Sequence, residues 1–374
     1  MLRRASPRPR PARSVPPFRH RKRLLPVEEC LTRRHLGGTT RSAGGHRPAD
    51  GSSRVVKSWA QGMIITKENL AWLLADDEPS VRYRTLTELL DYAPDQSQVI
   101  EAKQKIVASQ PVAKLFAQID SDGTWPWSGS YDSPELGIGY LGELGLDRTN
   151  LIVDKAIQTY LSQQYPDGSF PSSYSMRKGR ENARRNDESC YYALTIRGLL
   201  RLGYQDDARV KKALSFMLSE ARWDGGYLCT KSYVKDSTKS CIRGSKNVLL
   251  LFAELPDLWE TDVCQRLVAY FLDRKVFFKR NDHTQFARGY PSTVYPFHYR
   301  FGILEPMYAL SKMGYGNHAN LSAAWEFLEE KQDETGKFIL DWTMPKCAFN
   351  PGKKGKANKW VTLYAYLSKK QQKN

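Results

Sequence analysis

The six cysteines of this sequence, at positions 30, 190, 229, 241, 264 and 347, never form a C-x-x-C pair. With this spacing, and with 374 residues to bury a core, a disulfide scaffold is not expected. Reduced thiols and a cytoplasmic protein are the expectation. Long apolar runs are missing too. Val248–Ala253 is the longest, far short of the roughly 18 residues of a membrane helix, so no transmembrane segment is expected. The acidic stretch Asp76-Asp77-Glu78-Pro79-Ser80 lacks the final acid of a D-D-x-x-D magnesium motif. Its acids read instead as the start of a helix, where negative charge and proline are favoured.

The formal charge is +17, but it is unevenly spread. Residues 1–62 carry fifteen Lys and Arg against Glu28, Glu29 and Asp50, which leaves only +5 for the remaining 312 residues. No nucleic-acid partner is therefore expected for the body. The leader is rich in Arg, Pro, Gly and Ser without apolar periodicity, and it reads as disordered. It also lacks the apolar core of a secretory signal. A nucleic-acid arm or a targeting segment is one alternative. Another is that the native chain starts at Met63, directly ahead of the first regular helix. The expected organisation is a disordered leader over 1–62 and one domain over 63–374.

What the body does have is a repeated unit. Asn186-Asp187-Glu188-Ser189 suits a helix N-cap. The apolar run from Cys190 follows, and Gly203 stops it. A second, amphipathic helix over about 206–221 carries Val210, Ala213, Leu214, Met217 and Leu218 on one face. Then Trp223-Asp-Gly-Gly-Tyr227 turns the chain. An inner helix, apolar nearly all round, is thus backed by an outer one.

The turn recurs as Gln118…Gly123-Thr-Trp125, Gln164…Gly168-Ser-Phe170 and Gln332…Gly336-Lys-Phe338, each ending in Gly-x-aromatic. A degenerate copy is expected near Phe278–Asn281. Further inner helices are expected over about 137–144, 245–255, 301–313 and 359–369, with outer partners over 150–163, 262–274 and 319–331. Five to six helix hairpins result, each burying its face only against its neighbours.

These Gly-x-aromatic turns, with Gln164 and Gln332 ahead of them, resemble the repeat of squalene and oxidosqualene cyclases and of protein prenyltransferase β subunits. The likeness runs over about Leu115–Leu367. It implies an all-α fold, an α/α toroid with a central cavity. The Val81-Arg-Tyr-Arg84 segment looks instead like an open HEAT-type solenoid, the alternative architecture.

The resemblance also directs attention to particular residues. The cyclases' Asp-x-Asp-Asp acid motif is absent, because Asp120-Ser-Asp122-Gly123 departs at its last position. The prenyltransferases' zinc would draw on Asp187, Cys190 and His298, although D-x-x-C departs from the family's D-x-C. Without it no cofactor is expected, and the plainer reading makes Asp187 a cap, Cys190 a core residue and His298 a polar tip. The family's diphosphate-binding Arg-x-x-Lys would map to Arg243 and Lys246, a register that replaces the zinc ligands by Leu249 and Leu251. With His298, Arg300 and Lys359, also at inner-helix starts, these cations are the expected anion site. Asp187, Tyr191, Tyr295, Tyr299 and Trp360 are expected to line the cavity. The function implied is binding or transformation of an isoprenoid or similar amphiphile with an anionic, diphosphate-like head. The alternative is a non-catalytic helical-repeat scaffold for a protein partner. A cavity lined by Tyr, Trp and paired cations would favour the first; a solid, Leu-packed centre would favour the second.

Overall fold

A computed structural model of the chain describes residues 65–125, 133–172, 189–228, 239–281, 284–286, 291–298, 300–344, 349 and 351–372. The leader over 1–62 and the start at Met63 lie outside them. Among the described residues there are thirteen α-helices, and β-structure is confined to isolated bridges. None of these helices is long and apolar enough to cross a membrane.

The helices begin and end where the sequence places their signals. The outer helix α6 (Leu151–Leu161) is capped by the Asn150 side chain, which accepts from the backbone N–H groups of Ile152 and Val153. Asp207 caps α8 (Ala208–Ser219), Thr261 caps α10 (Asp262–Leu272), and Asn358 caps the inner helix α13 (Lys359–Gln371). The inner helices α5 (Pro134–Leu144) and α7 (Ser189–Arg201) give way to left-handed Gly145 and Gly203. Gly314 does the same within a wider turn, Ser311–Tyr315, that follows α11 (Leu304–Leu310).

Burial separates two layers. Nearly every residue of α5, of α9 (Ile242–Phe252) and of α13 is buried. In α8 only Val210, Ala213, Leu214 and Met217 are, the stripe of an outer helix. Inner helices pack in the order α5, α7, α9, α11, α13, and α13 packs on α2 (Pro79–Arg84, continued by a wider turn over Thr85–Leu89). Arg84 of α2 then meets Glu143 of α5 and closes the ring. This is an α/α toroid; a solenoid would leave its first and last inner helices apart.

The repeat turn has a mechanical role in this ring. Gly123, Gly168 and Gly225 all have positive φ, and each abuts the backbone of the next outer helix. A Cβ there would lie 3.0 Å from the Lys155 carbonyl oxygen, 2.7 Å from that of Lys212, and 2.4 Å from that of Arg266. The aromatic two residues on packs against the next inner helix, as Tyr227 does against Phe252 and Phe338 against Tyr366. Gln164 braces its turn by donating to the Gly168 and Arg209 carbonyls. The fourth turn follows the same rule with a different partner. Gly336 faces Asn69 of α1 (Lys67–Leu73), whose amide donates to the Thr335 carbonyl. The first helix thus takes the outer seat beside the last inner one. In the degenerate copy the left-handed residues are Lys275 and Val276, with no glycine present.

Gly225 and Gly314 share a left-handed φ, +82° and +89°, but nothing lies within 4 Å of a Cβ built at Gly314. Gly314→Ala is expected to cost about 1–2 kcal/mol, the backbone preference alone. Gly225→Ala must also displace α10, so chemical denaturation should show it at least about 1 kcal/mol worse. Equal losses would mean that the turn does not clamp its neighbour.

Candidate functional site

The ring has two ends, and the charges at them are arranged differently. At the end where inner helices start, Lys246 is fully buried and ion-paired with Glu305, and it also donates to the His298 carbonyl. Burial presses on both partners, lowering the Lys246 pKa and raising that of Glu305. Beside it, Asn247 donates to the Cys190 carbonyl at 2.9 Å, so α9 ties the neighbourhoods of Cys190 and His298 together. Lys359 is held by Asp77, with the Trp72 ring 5.6 Å from its ammonium. The Arg300 guanidinium lies 4.6 Å from the centre of the Trp342 ring, on which His298 stacks. Arg243 is half-buried in the first turn of α9. Lys246 and His298 are therefore brought together, whereas Lys359 is engaged elsewhere. The anions that these two lysines were expected to draw from a ligand come here from the chain itself.

Among the expected lining residues, Tyr295 and Trp360 are fully buried and stack at 5.0 Å, with Phe349 against both. Tyr191 is buried with Cys190 in a small cluster. Asp187 and Tyr299 lie outside the described residues. Among those described, no group of three His, Cys, Asp or Glu is placed to hold a metal ion.

The opposite end, where inner helices stop, holds a chain of buried charges. Glu143 of α5 accepts from Arg84, Arg197, Arg201, Tyr364 and Tyr295. Glu254, just past α9, accepts from Arg197 and Arg201 on one oxygen and from Lys312 on the other. Arg84 also grips Glu88 in a two-pronged pair at 2.7 and 2.8 Å. Burial alone would raise the Glu143 carboxyl; Arg84, Arg201 and Arg197 outweigh it and hold it well below the usual range. In Glu254 burial is likewise outweighed, by Arg201, Lys312 and Arg197, and in Glu88 by Arg84. Burial raises the Tyr308 phenol.

Above this chain of charges opens a cavity of about 550 Å3, walled by Arg84, Glu88, Arg201, Glu254, Tyr308 and Lys312, with Leu146 and Leu367 as apolar surface. Its carboxylates are ionised and already occupied. Among the described residues, however, neither the Tyr308 hydroxyl nor Arg201 Nη2 takes a partner, and Lys312 donates only to Glu254. Donors are thus left to spare beside carboxylates that already accept charged hydrogen bonds. Such a wall can orient an acceptor-rich molecule, but at neutral pH its carboxylates hold no proton to give.

Sequence reasoning missed this end, although a signal was present. Each apolar inner run carries a charge near its last turn: Glu143, Arg197 and Arg201, Glu254, Lys312. Charges inside helices that are apolar all round must be paired, and signs that differ between neighbouring helices say with whom.

No family model and no curated protein matches the chain. Among solved structures, a glycosyl hydrolase family 88 protein from Bacteroides vulgatus is similar over 79% of this chain and 90% of its own, at 11% identity and a TM-score of 0.43.

Because the folded pKa of Glu143 is depressed, its contribution is complete above its ordinary value of 4.5 and is lost as pH falls below that. Glu143→Gln should lower stability by roughly 3–5 kcal/mol at pH 7, since three guanidinium groups lose their shared counter-charge. Its thermal midpoint should then fall less steeply than the parent's between pH 5 and about pH 3. Parallel pH profiles would remove Glu143 from that role.

Proposed function

We propose that this protein binds a small amphiphile, seating its anionic, acceptor-rich head in the cavity at the stopping end of the inner helices. The observation that carries this reading is the state of the wall. Every described acceptor on Glu254 and Glu88 is engaged, while Arg201, Tyr308 and Lys312 keep donors to spare. Leu146, Leu367 and the Tyr83 and Tyr308 rings supply a surface for a short apolar tail. The ring's centre is filled by the buried, mutually packed rings of Tyr295, Trp360, Phe297 and Tyr364, so the ligand reading rests on the cavity at the stopping end and not on the centre.

The repeat's likeness to prenyltransferases makes an isoprenoid the first apolar tail to try. A diphosphate head would not use the family's Arg-x-x-Lys here, because Lys246 is matched by Glu305. The free thiols of Cys190, Cys241 and Cys264 are in keeping with a reducing, cytoplasmic setting.

Thermal unfolding with a panel of anionic amphiphiles, a prenyl diphosphate and a medium-chain carboxylate among them, tests the reading. A ligand present at a hundred times its Kd should raise the midpoint by about 5 °C. Tyr308→Phe and Lys312→Met should each weaken that response at least about fivefold in apparent Kd. No rise with any member, or equal binding by both variants, would overturn the proposal.

A further inference from the structure

We infer that the head accepted by this cavity carries a single negative charge, and that a doubly charged head is excluded by the cavity's own carboxylates. The inference rests on the binding role proposed above and narrows it.

Four cations (Arg84, Lys103, Arg201 and Lys312) share the wall with four acids (Glu88, Asp91, Asp147 and Glu254). The lining is therefore neutral as it stands. The same holds behind it, where Glu143 lies against Arg197. At the rim Lys103 pairs with Asp147 at 2.9 Å, and Lys370 reaches in to Asp91. With Lys370 added, cations exceed acids by one, so a ligand's charge meets a single unmatched cation.

Three of these carboxylates resist taking up protons. Against burial, which would raise them, Glu88 is held below its ordinary range by Arg84, Glu254 by Arg201, Lys312 and Arg197, and Asp147 by hydrogen bonds from Thr149 and Lys103. The Gly145 carbonyl, just past the end of α5, adds to the negative side, and Lys103 already answers it.

Against this stand three places with donors to spare: Arg201 Nη2, the Tyr308 hydroxyl and the Lys312 ammonium. These three groups carry at least five N–H and O–H donors, enough to reach each oxygen of a carboxylate or of a sulfate ester. A second formal charge would find no second unmatched cation and would sit beside the wall's carboxylates. In a cavity this size such an unmatched charge weakens binding on the order of tenfold.

One molecule can present both charge states. The second ionisation of an alkyl phosphate falls near pH 6, whereas an alkyl sulfate is a monoanion throughout. None of the described residues lining the cavity is a histidine, the side chain whose own charge changes over this range. Calorimetric titration of the full chain with hexyl phosphate and hexyl sulfate, at pH 5 and at pH 8, therefore reads the preference directly. At pH 8 the sulfate should bind at least tenfold more tightly; at pH 5 the two should agree within about threefold. Asp147→Asn, which removes a rim carboxylate and frees Lys103, should recover several-fold of the phosphate's affinity at pH 8. A phosphate dianion that binds as tightly as the sulfate at pH 8 would overturn the single-charge inference and leave the binding role standing. Failure of both ligands at both pH values would overturn the two together.

Discussion

Everything in this ring depends on one buried carboxylate finding its cations. Glu143 sits on α5, and the groups that meet it come from α2, α7, α13 and the segment before α11. Through Arg197 and Arg201 the contact extends to Glu254 and on to Lys312. All six inner helices are joined by this one chain of charges. Hydrophobic packing would bring the same helices together in many rotations. A carboxylate that must be shared by three guanidinium groups, in a setting where an unpaired charge is intolerable, accepts very few.

The two ends of the ring solve the same electrostatic problem in different ways. Where the inner helices start, the cations are closed off one by one: Lys246 by Glu305, Lys359 by Asp77, Arg300 over an indole. Where they stop, pairing is communal, and a cavity remains with donors left over. Helix starts are commonly taken as the natural seat of an anion, because backbone N–H groups point outwards there. In this chain side-chain carboxylates already occupy that end. Its more open charge lies at the other.

The sequence showed the architecture clearly because the relevant signals are local. Asn150, Asp207 and Gly203 cap or stop helices through their own conformations, and Gly225 turns the chain through its own φ. A period in such signals is enough to give hairpins, and hairpins in sufficient number give a ring. The cavity was harder to read because its walls come from residues as far apart as Arg84 and Lys312. The rule that selects them, that buried opposite charges on adjacent helices must meet, needs the helix order first. Lys246 was misleading for the same reason. Its Arg-x-x-Lys setting is local, while Glu305, which decides what it does, lies 59 residues away.

The seat of α1 has a consequence for how such a chain is made. Its Asn69 amide closes on Tyr366, 297 residues further along. No earlier part of the chain can stand in, because the fourth turn and α13 are both required. The first of the described helices to be synthesised is therefore among the last to find its place, and it waits in solvent while the rest of the ring is made. Loop closure over that span is entropically slow and follows the local hairpins. Until it happens, the circle is an open arc with two raw ends, and the buried charge that joins its first and last segments has not yet been shielded from water.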